Sequence, residues 1–190
     1  MAAAGFEGGE TFRLSAAAGA GALKLHKGDI TLWSVDGATD AIVCASAPSH
    51  DPNPTLYPPR RAVFLYIKLL DHNLCKHAVK FLRAFELPVS RVIHTVGPVY
   101  DMDKRPELLL KNAYENSLKL AKENGIQYIA FPAISCGIFR YPPKEASNIA
   151  ISTARQFSGD IKEVHFVLFT DELYNVWRET AQEMLAQFEK

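Results

Sequence analysis

Net charge, cysteine and long apolar runs are all scarce in this chain, and each shortage removes a class of protein. Lys and Arg total 21, Asp and Glu total 21, and the 190 residues therefore carry no net charge. With neither sign in excess there is no general pull toward nucleic acid or an anionic membrane, and neither is expected as a partner. Three cysteines, Cys44, Cys75 and Cys136, are too few and too scattered for a disulfide framework. They read as reduced thiols in a cytoplasmic or nuclear protein. The longest apolar run, residues 62–67, is far short of the roughly 20 residues that span a bilayer. Zinc-type spacing is also lacking. His72, Cys75 and His77 lie close together with Cys44 and His50 upstream, but not in the usual pairs, so no metal and no cofactor is expected. Glycine is missing from one long stretch: none of the eleven lies between Gly37 and Gly97.

The first 22 residues are rich in Ala and Gly. They read as a flexible tail with one short strand around Phe12 to Leu14. Glu7 and Glu10, with no basic cluster before them, argue against a secretory signal. Residues 23–27 alternate apolar and polar, which predicts a half-buried strand, and residues 28–31 follow as a turn. Residues 40–43 and 90–96 are short and β-branched and predict buried strands. Pro106 opens a helix that runs to about Asn124 and stops at Gly125. A strand at 126–134, a helix from Pro142 and Pro143, a strand at 163–169 and a last helix to about Phe188 complete the pattern. Thr170 or Asp171 would cap that last helix. Strands alternating with helices imply an α/β domain with a mostly parallel sheet covered on both faces.

Residues 47–84 break this rhythm. Five of the eleven prolines fall between Pro48 and Pro59, which excludes a helix or a central strand there. Residues 60–83 follow with Arg60, Arg61, Lys68, Lys76, Lys80 and Arg83 against Asp71 alone. Leu65, Leu69 and Leu70, then Ala78, Val79 and Leu82, permit one or two amphipathic helical turns. This basic stretch is read as a solvated insertion rather than a contact for RNA or lipid.

Three stretches carry chemistry: LKLHKGDIT at 23–31 with DAIV at 40–43, LPVSRVIHTVGPV at 87–99, and AFPAISCGIFRYP at 130–142. The last leaves a buried strand through small residues, where backbone N–H groups can converge on an anion. It can equally be an ordinary strand–helix turn. Asp29 stands at a strand exit, where its carboxylate either accepts a hydrogen bond from a ligand or caps the turn. Phe139 and Phe169 are placed to line a slot for a base, or to pack in the core. Cys136 could pass for a nucleophile with His94 or His165 as base, but no third orienting group is evident, and a loop cysteine lining the cradle is the better reading.

In this order the stretches resemble macrodomains, the family of ADP-ribose-binding modules and ADP-ribosyl hydrolases. The resemblance covers residues 23–43 and about 85–185. It implies a three-layer α/β/α fold with a mixed, mostly parallel sheet spanning 23–188, acting as a monomer. It implies ADP-ribose, free or on a mono-ADP-ribosylated protein, as ligand. Asp29 and Ile30 would read adenine, Ser135, Cys136, Gly137, Ile138 and Phe139 would cradle the diphosphate, and Phe169 would flank the slot. Hydrolase-type members continue the strand at 40–43 with two asparagines and a glycine-rich loop that place the distal ribose and the attacking water. Here the continuation is CASAPSHD at 44–51. That departure, with its abrupt edges at 44 and 84, reads as a replaced segment from alternative splicing or a gene-model error. No catalytic residue is assigned. Three functions stay open: a binding module with weakened affinity and lost catalysis, an active hydrolase, and a chain acting only through its basic segment.

Overall fold

A computed structural model describes residues 7–17, 19–46, 80–83 and 87–188. Most of the stretch read as replaced, residues 47–79 and 84, with His50, His72, Cys75 and His77, lies outside them, and so do the readings made there. Seven strands form one sheet among the described residues: β1 (Glu7–Arg13), β2 (Ala22–Lys27), β3 (Asp40–Ser46), β4 (Lys80–Arg83), β5 (Arg91–Val96), β6 (Tyr128–Phe131) and β7 (Glu163–Leu168), in the order β1-β2-β7-β6-β3-β5-β4. The five inner strands run parallel, and β1 and β4 close the two edges antiparallel. The sheet is therefore mixed and mostly parallel, and the strands at 128–131 and 163–168 are direct neighbours within it.

Three helices follow the sequence pattern closely. They are α1 (Pro106–Glu123), α2 (Pro143–Gln156) and α3 (Asp171–Leu185), the last extended by a 3-10 turn, Ala186–Phe188. Prolines open α1 and α2, where their missing N–H costs least. Thr170 caps α3 by accepting the Leu173 N–H, and Asp171 and Glu172 sit in its first turn against the positive helix end. All three helices bury their apolar stripes in one core. Leu110, Tyr114, Leu118, Ala150, Ile151, Trp177 and Leu185 meet Leu23, Leu25, Val43, Ile93, Ile129, Phe131, Val164 and Phe166 from the strands. Alternation sends the next residue of each strand to the other face, where Ile42, Val92, Ala130 and Val167 pack with Trp33 and Val89.

A polar chain crosses that second face. His165 on β7 lies beside His26 on β2, with ring nitrogens 2.9 Å apart, and the Trp33 indole N–H donates to the same His165 Nδ1 at 3.1 Å. His165 Nε2 meets Glu163 Oε2 at 2.9 Å, and Lys24 Nζ meets the other carboxylate oxygen at 2.9 Å. An indole N–H only donates, so His165 Nδ1 must accept, which fixes its proton on Nε2 facing Glu163.

Three expectations need correction. The short strand expected around Phe12 to Leu14 is longer and starts earlier: residues 7–13 pair with β2 as an edge strand, and Phe12 and Leu14 are buried in the helix-covered core. The helical turn allowed around Leu82 is instead β4, whose backbone pairs with β5 from Lys80↔His94 to Arg83↔Arg91. Sheet pairing outweighs a weak helical periodicity. The strand expected over 126–134 is only Tyr128–Phe131, since residues 132–141 turn away to form the loop described next.

Candidate functional site

The parallel strands all end on one rim of the sheet, and a cleft of about 300 Å³ opens there. That is the lower end of the usual range for small-molecule sites. Residues at the ends of three strands line it, Ile30 and Thr31 beyond β2, Cys44 and Ala45 on β3, and Pro132, Ala133, Ser135, Gly137, Ile138 and Phe139 beyond β6, and Ile42, Val43 and Val92 extend it along the sheet.

The loop after β6 is the most constrained part. Ser135 and Arg140 hold positive φ angles of 65° and 53°, a region that side chains rarely occupy. The loop closes on itself through the Tyr141 N–H to the Ser135 carbonyl at 3.0 Å and the Arg140 N–H to the Gly137 carbonyl at 3.0 Å. Its entry is held by α1, where Tyr114 Oη accepts the Ile134 N–H at 3.2 Å. These bonds leave the N–H groups of Ser135, Gly137, Ile138 and Phe139 with no acceptor among the described residues. The Ser135 hydroxyl is likewise buried without a hydrogen-bond partner. Gly97 makes room for it, because a Cβ there would stand 2.2 Å from Ser135 Oγ. Helix α2 begins only at Pro143, beyond Pro142, so the donors facing the cleft belong to the loop and not to the helix terminus.

Asp29 follows β2 and caps the short 3-10 turn Ile30–Leu32. Its Oδ1 accepts the Thr31 N–H at 2.9 Å and the Thr31 hydroxyl at 2.7 Å, while Oδ2 makes no bond among the described residues. The capping reading of Asp29 is thus realised, with one oxygen left over. Gly28 N–H donates to the Leu168 carbonyl at 3.0 Å, which ties the ends of β2 and β7 together and brings Phe169 to the same rim.

Of the residues singled out in the sequence, Ile30, Ser135, Gly137, Ile138 and Phe139 line the cleft. Asp29 stands one residue outside its lining. Phe169 is 79 % exposed and does not line it. Cys136 turns inward against the main core, and its thiol bonds the Ile134 carbonyl at 3.5 Å. Burial pushes that thiol up to about 12, the wrong direction for a nucleophile. His165, the base considered for it, is committed to Trp33, His26 and Glu163 on the second face. Among the described residues no cluster of His, Cys, Asp and Glu is suited to a metal ion. Sequence reasoning did not assign Thr31, Pro132 and Ala133, beyond strand ends, or Ile42, Val43, Cys44, Ala45 and Val92, on β3 and β5, to the cleft.

Comparison with known proteins places this geometry. Residues 67–150 match the Macro domain family, a match that begins within the stretch read from sequence as replaced. A macro domain-containing protein of Lactiplantibacillus plantarum is 32% identical over 160 residues, covering 82% of this chain and 93% of that protein. The O-acetyl-ADP-ribose deacetylase of Klebsiella pneumoniae (strain 342) is 45% identical over 106 residues, covering 54% of this chain and 60% of that protein. A macro domain-containing protein of Vibrio parahaemolyticus is matched over 58% of its length, so the chain spans little more than half of several relatives. Among solved structures, the Oceanobacillus iheyensis macrodomain with ADP aligns with a TM-score of 0.77 at 27% identity, over 95% of this chain and all of that one. A Trypanosoma brucei macrodomain in complex with ADP-ribose aligns at 0.63 and 26% identity, over 83% of this chain and 68% of that one. The α/β architecture with its mixed sheet is the three-layer macrodomain fold, and the chain belongs to the macrodomain family.

Proposed function

We propose that this chain binds ADP-ribose as a monomer, free or attached to protein, at the rim cleft, and that it hydrolyses ADP-ribosyl esters poorly or not at all. The observation that carries the binding reading is the loop after β6, where the N–H groups of the cleft-lining Ser135, Gly137, Ile138 and Phe139 have no acceptor among the described residues. Unpaired amides of this kind suit a diphosphate. The spare Oδ2 of Asp29 is an acceptor for an exocyclic amine, so adenine belongs at the β2 end. The solved neighbours named with ADP and with ADP-ribose support the same ligand.

Titration calorimetry with ADP-ribose tests this reading. Asp29→Ala removes an acceptor from a half-buried amine, at roughly 1–3 kcal/mol, so affinity should fall about tenfold or more. That variant also loses the bonds to Thr31. Asp29→Asn keeps an oxygen for the Thr31 N–H while presenting an amide donor to the amine, and should lose affinity similarly. Binding by Asp29→Asn equal to that of the natural chain would leave the residue a cap and nothing more.

The weak-catalysis reading rests on the sequence from β3 onward. Cys44 and Ala47 stand in sequence where hydrolase-type members carry their two asparagines, and neither side chain orients a ribose or a water well. Turnover of ADP-ribosyl esters should lie more than about tenfold below that of the Klebsiella deacetylase, roughly 1.4 kcal/mol in barrier. A rate inside that margin would mean that another segment supplies the reacting geometry.

A further inference from the structure

The turn that carries Asp29 is rooted in the sheet by one side chain. Trp33 closes the 3-10 turn, its N–H donating to the Ile30 carbonyl at 3.1 Å, and its indole is buried in the second-face core with Ile42, Val92 and Val167. Packing alone does not select one orientation of a flat ring, but a buried indole N–H demands an acceptor. His165 Nδ1 meets that demand at 3.1 Å, with the two rings edge to face at 66°. His165 is itself buried, in a strand where Val164, Phe166 and Val167 are its neighbours. Burial lowers its pKa, so the imidazole is neutral near pH 7 and Nδ1 keeps its lone pair. Glu163 Oε2 holds the opposite nitrogen at 2.9 Å and Lys24 holds Glu163, so β2 and β7 together orient the acceptor. From Trp33 the constraint passes back through the turn. The Asp29 carbonyl accepts the Leu32 N–H at 3.0 Å, and Asp29 Oδ1 is tied to Thr31 by two bonds. The direction of the remaining oxygen, Oδ2, therefore follows the setting of the indole.

We infer that Trp33 and His165 are positioning residues for base selectivity: their hydrogen bond fixes the turn that presents the spare Asp29 oxygen to an exocyclic amine. The inference rests on the adenine reading above and deepens it. Neither residue lines the cleft, so each acts through Asp29.

Calorimetry on the full chain compares ADP-ribose with its hypoxanthine analogue, in which a carbonyl oxygen replaces the exocyclic amine. The natural chain should favour ADP-ribose by about tenfold or more. Trp33→Phe keeps an aromatic ring and removes the N–H donor. It should cut that preference to about threefold or less, through weaker binding of ADP-ribose. A general loosening of the fold would weaken both ligands alike and leave the ratio unchanged. His165→Leu removes the acceptor and should act like Trp33→Phe. His165→Asn offers an amide oxygen close to the place of Nδ1 and should keep a preference above about fivefold. Circular dichroism checks that each variant is folded. An unchanged preference in Trp33→Phe, or equal preferences in His165→Leu and His165→Asn, would overturn the inference and leave the ADP-ribose reading intact. No preference in the natural chain would take the base away from Asp29 and overturn the inference. No binding of either ligand would overturn both.

Discussion

A carboxylate withdrawn from water must have its lone pairs occupied, and Asp40 satisfies this at the start of β3. It is fully buried. Oδ2 accepts the N–H groups of Val35, Asp36 and Gly37 at 2.9, 3.2 and 2.9 Å, and Oδ1 accepts the Ser90 N–H at 3.0 Å. One side chain thereby pins the loop before β3 to the loop before β5. Asp40→Ala would leave these donors without their acceptor. It should lower stability by roughly 2–4 kcal/mol, read as a shift in the urea midpoint with an unchanged slope. A loss below about 1 kcal/mol would show that water replaces the carboxylate. Asp40 was read from sequence only as the first residue of a strand. Its partners are backbone amides, which carry no residue-type signal, and Ser90 lies far along the chain. Asp29 and Ser135 were singled out through the resemblance and their positions at strand exits, whereas the inward turn of Cys136 depends on the path of a loop that the sequence does not fix.

At the scale of elements, the loop after β6 is held in a shape that its own residues would not adopt unaided. Tyr114 of α1 anchors its entry, its own bonds close it, and Gly97 beyond β5 leaves room for Ser135. Gly97→Ala places a Cβ 2.2 Å from Ser135 Oγ and 2.6 Å from Ile134 Cγ2. Either the loop or the end of β5 must shift, at about 1–3 kcal/mol. Stability in urea and ADP-ribose affinity should fall together, since the displaced residue belongs to the proposed diphosphate cradle. Loss of stability with full affinity would mean that the end of β5 had moved and the cradle had not. Elements with strong periodicity or proline starts were predictable, namely β2, β3, β5, β7 and all three helices. The edge strands were less so. Only the Phe12 end of β1 stood out from its Ala- and Gly-rich setting, and β4 is defined by its pairing with β5, which lies beyond it in sequence.

Across the whole molecule, the chain of His26, His165, Glu163 and Lys24, with Trp33, couples acid to stability. Burial first, then His165 and Lys24, lowers His26 from 6.5 to about 4, and burial likewise lowers His165. Glu163 is held down at about 2, chiefly by its hydrogen bond from His165 and then by Lys24. Between pH 6.5 and about 4 the unfolded chain binds a proton at His26 that the folded chain refuses, so stability is complete above 6.5 and falls as the pH drops through this window. Glu163 adds a second decline from 4.5 down to about 2, where the unfolded carboxylate is protonated first. Urea midpoints measured from pH 7 to pH 4 should decrease steadily, and more gently in His26→Gln between pH 6.5 and 4. A flat series would mean that the histidines meet water more freely than their packing suggests. The order of strands in the sheet was beyond the sequence, because alternation of strands and helices is compatible with several orders. The histidine chain was hidden for the same reason: its members come together only when β2 and β7 are side by side.

That adjacency has a consequence for how the chain is made. Strand β2 pairs with β1 on one side and β7 on the other, residue by residue from Ala22↔Glu163 to Lys27↔Leu168. The β1–β2 hairpin is synthesised well before β7 and has no inner neighbour until residues 163–168 have emerged. Until then one flank of the hairpin exposes unsatisfied amides and carbonyls, and Leu23 and Leu25 lack the core that finally encloses them. Strands β2 and β7, far apart in sequence, are thus each other's template. Closure of the sheet is a late, long-range event, in the class of contacts that slow folding and leave nascent chains open to misassociation.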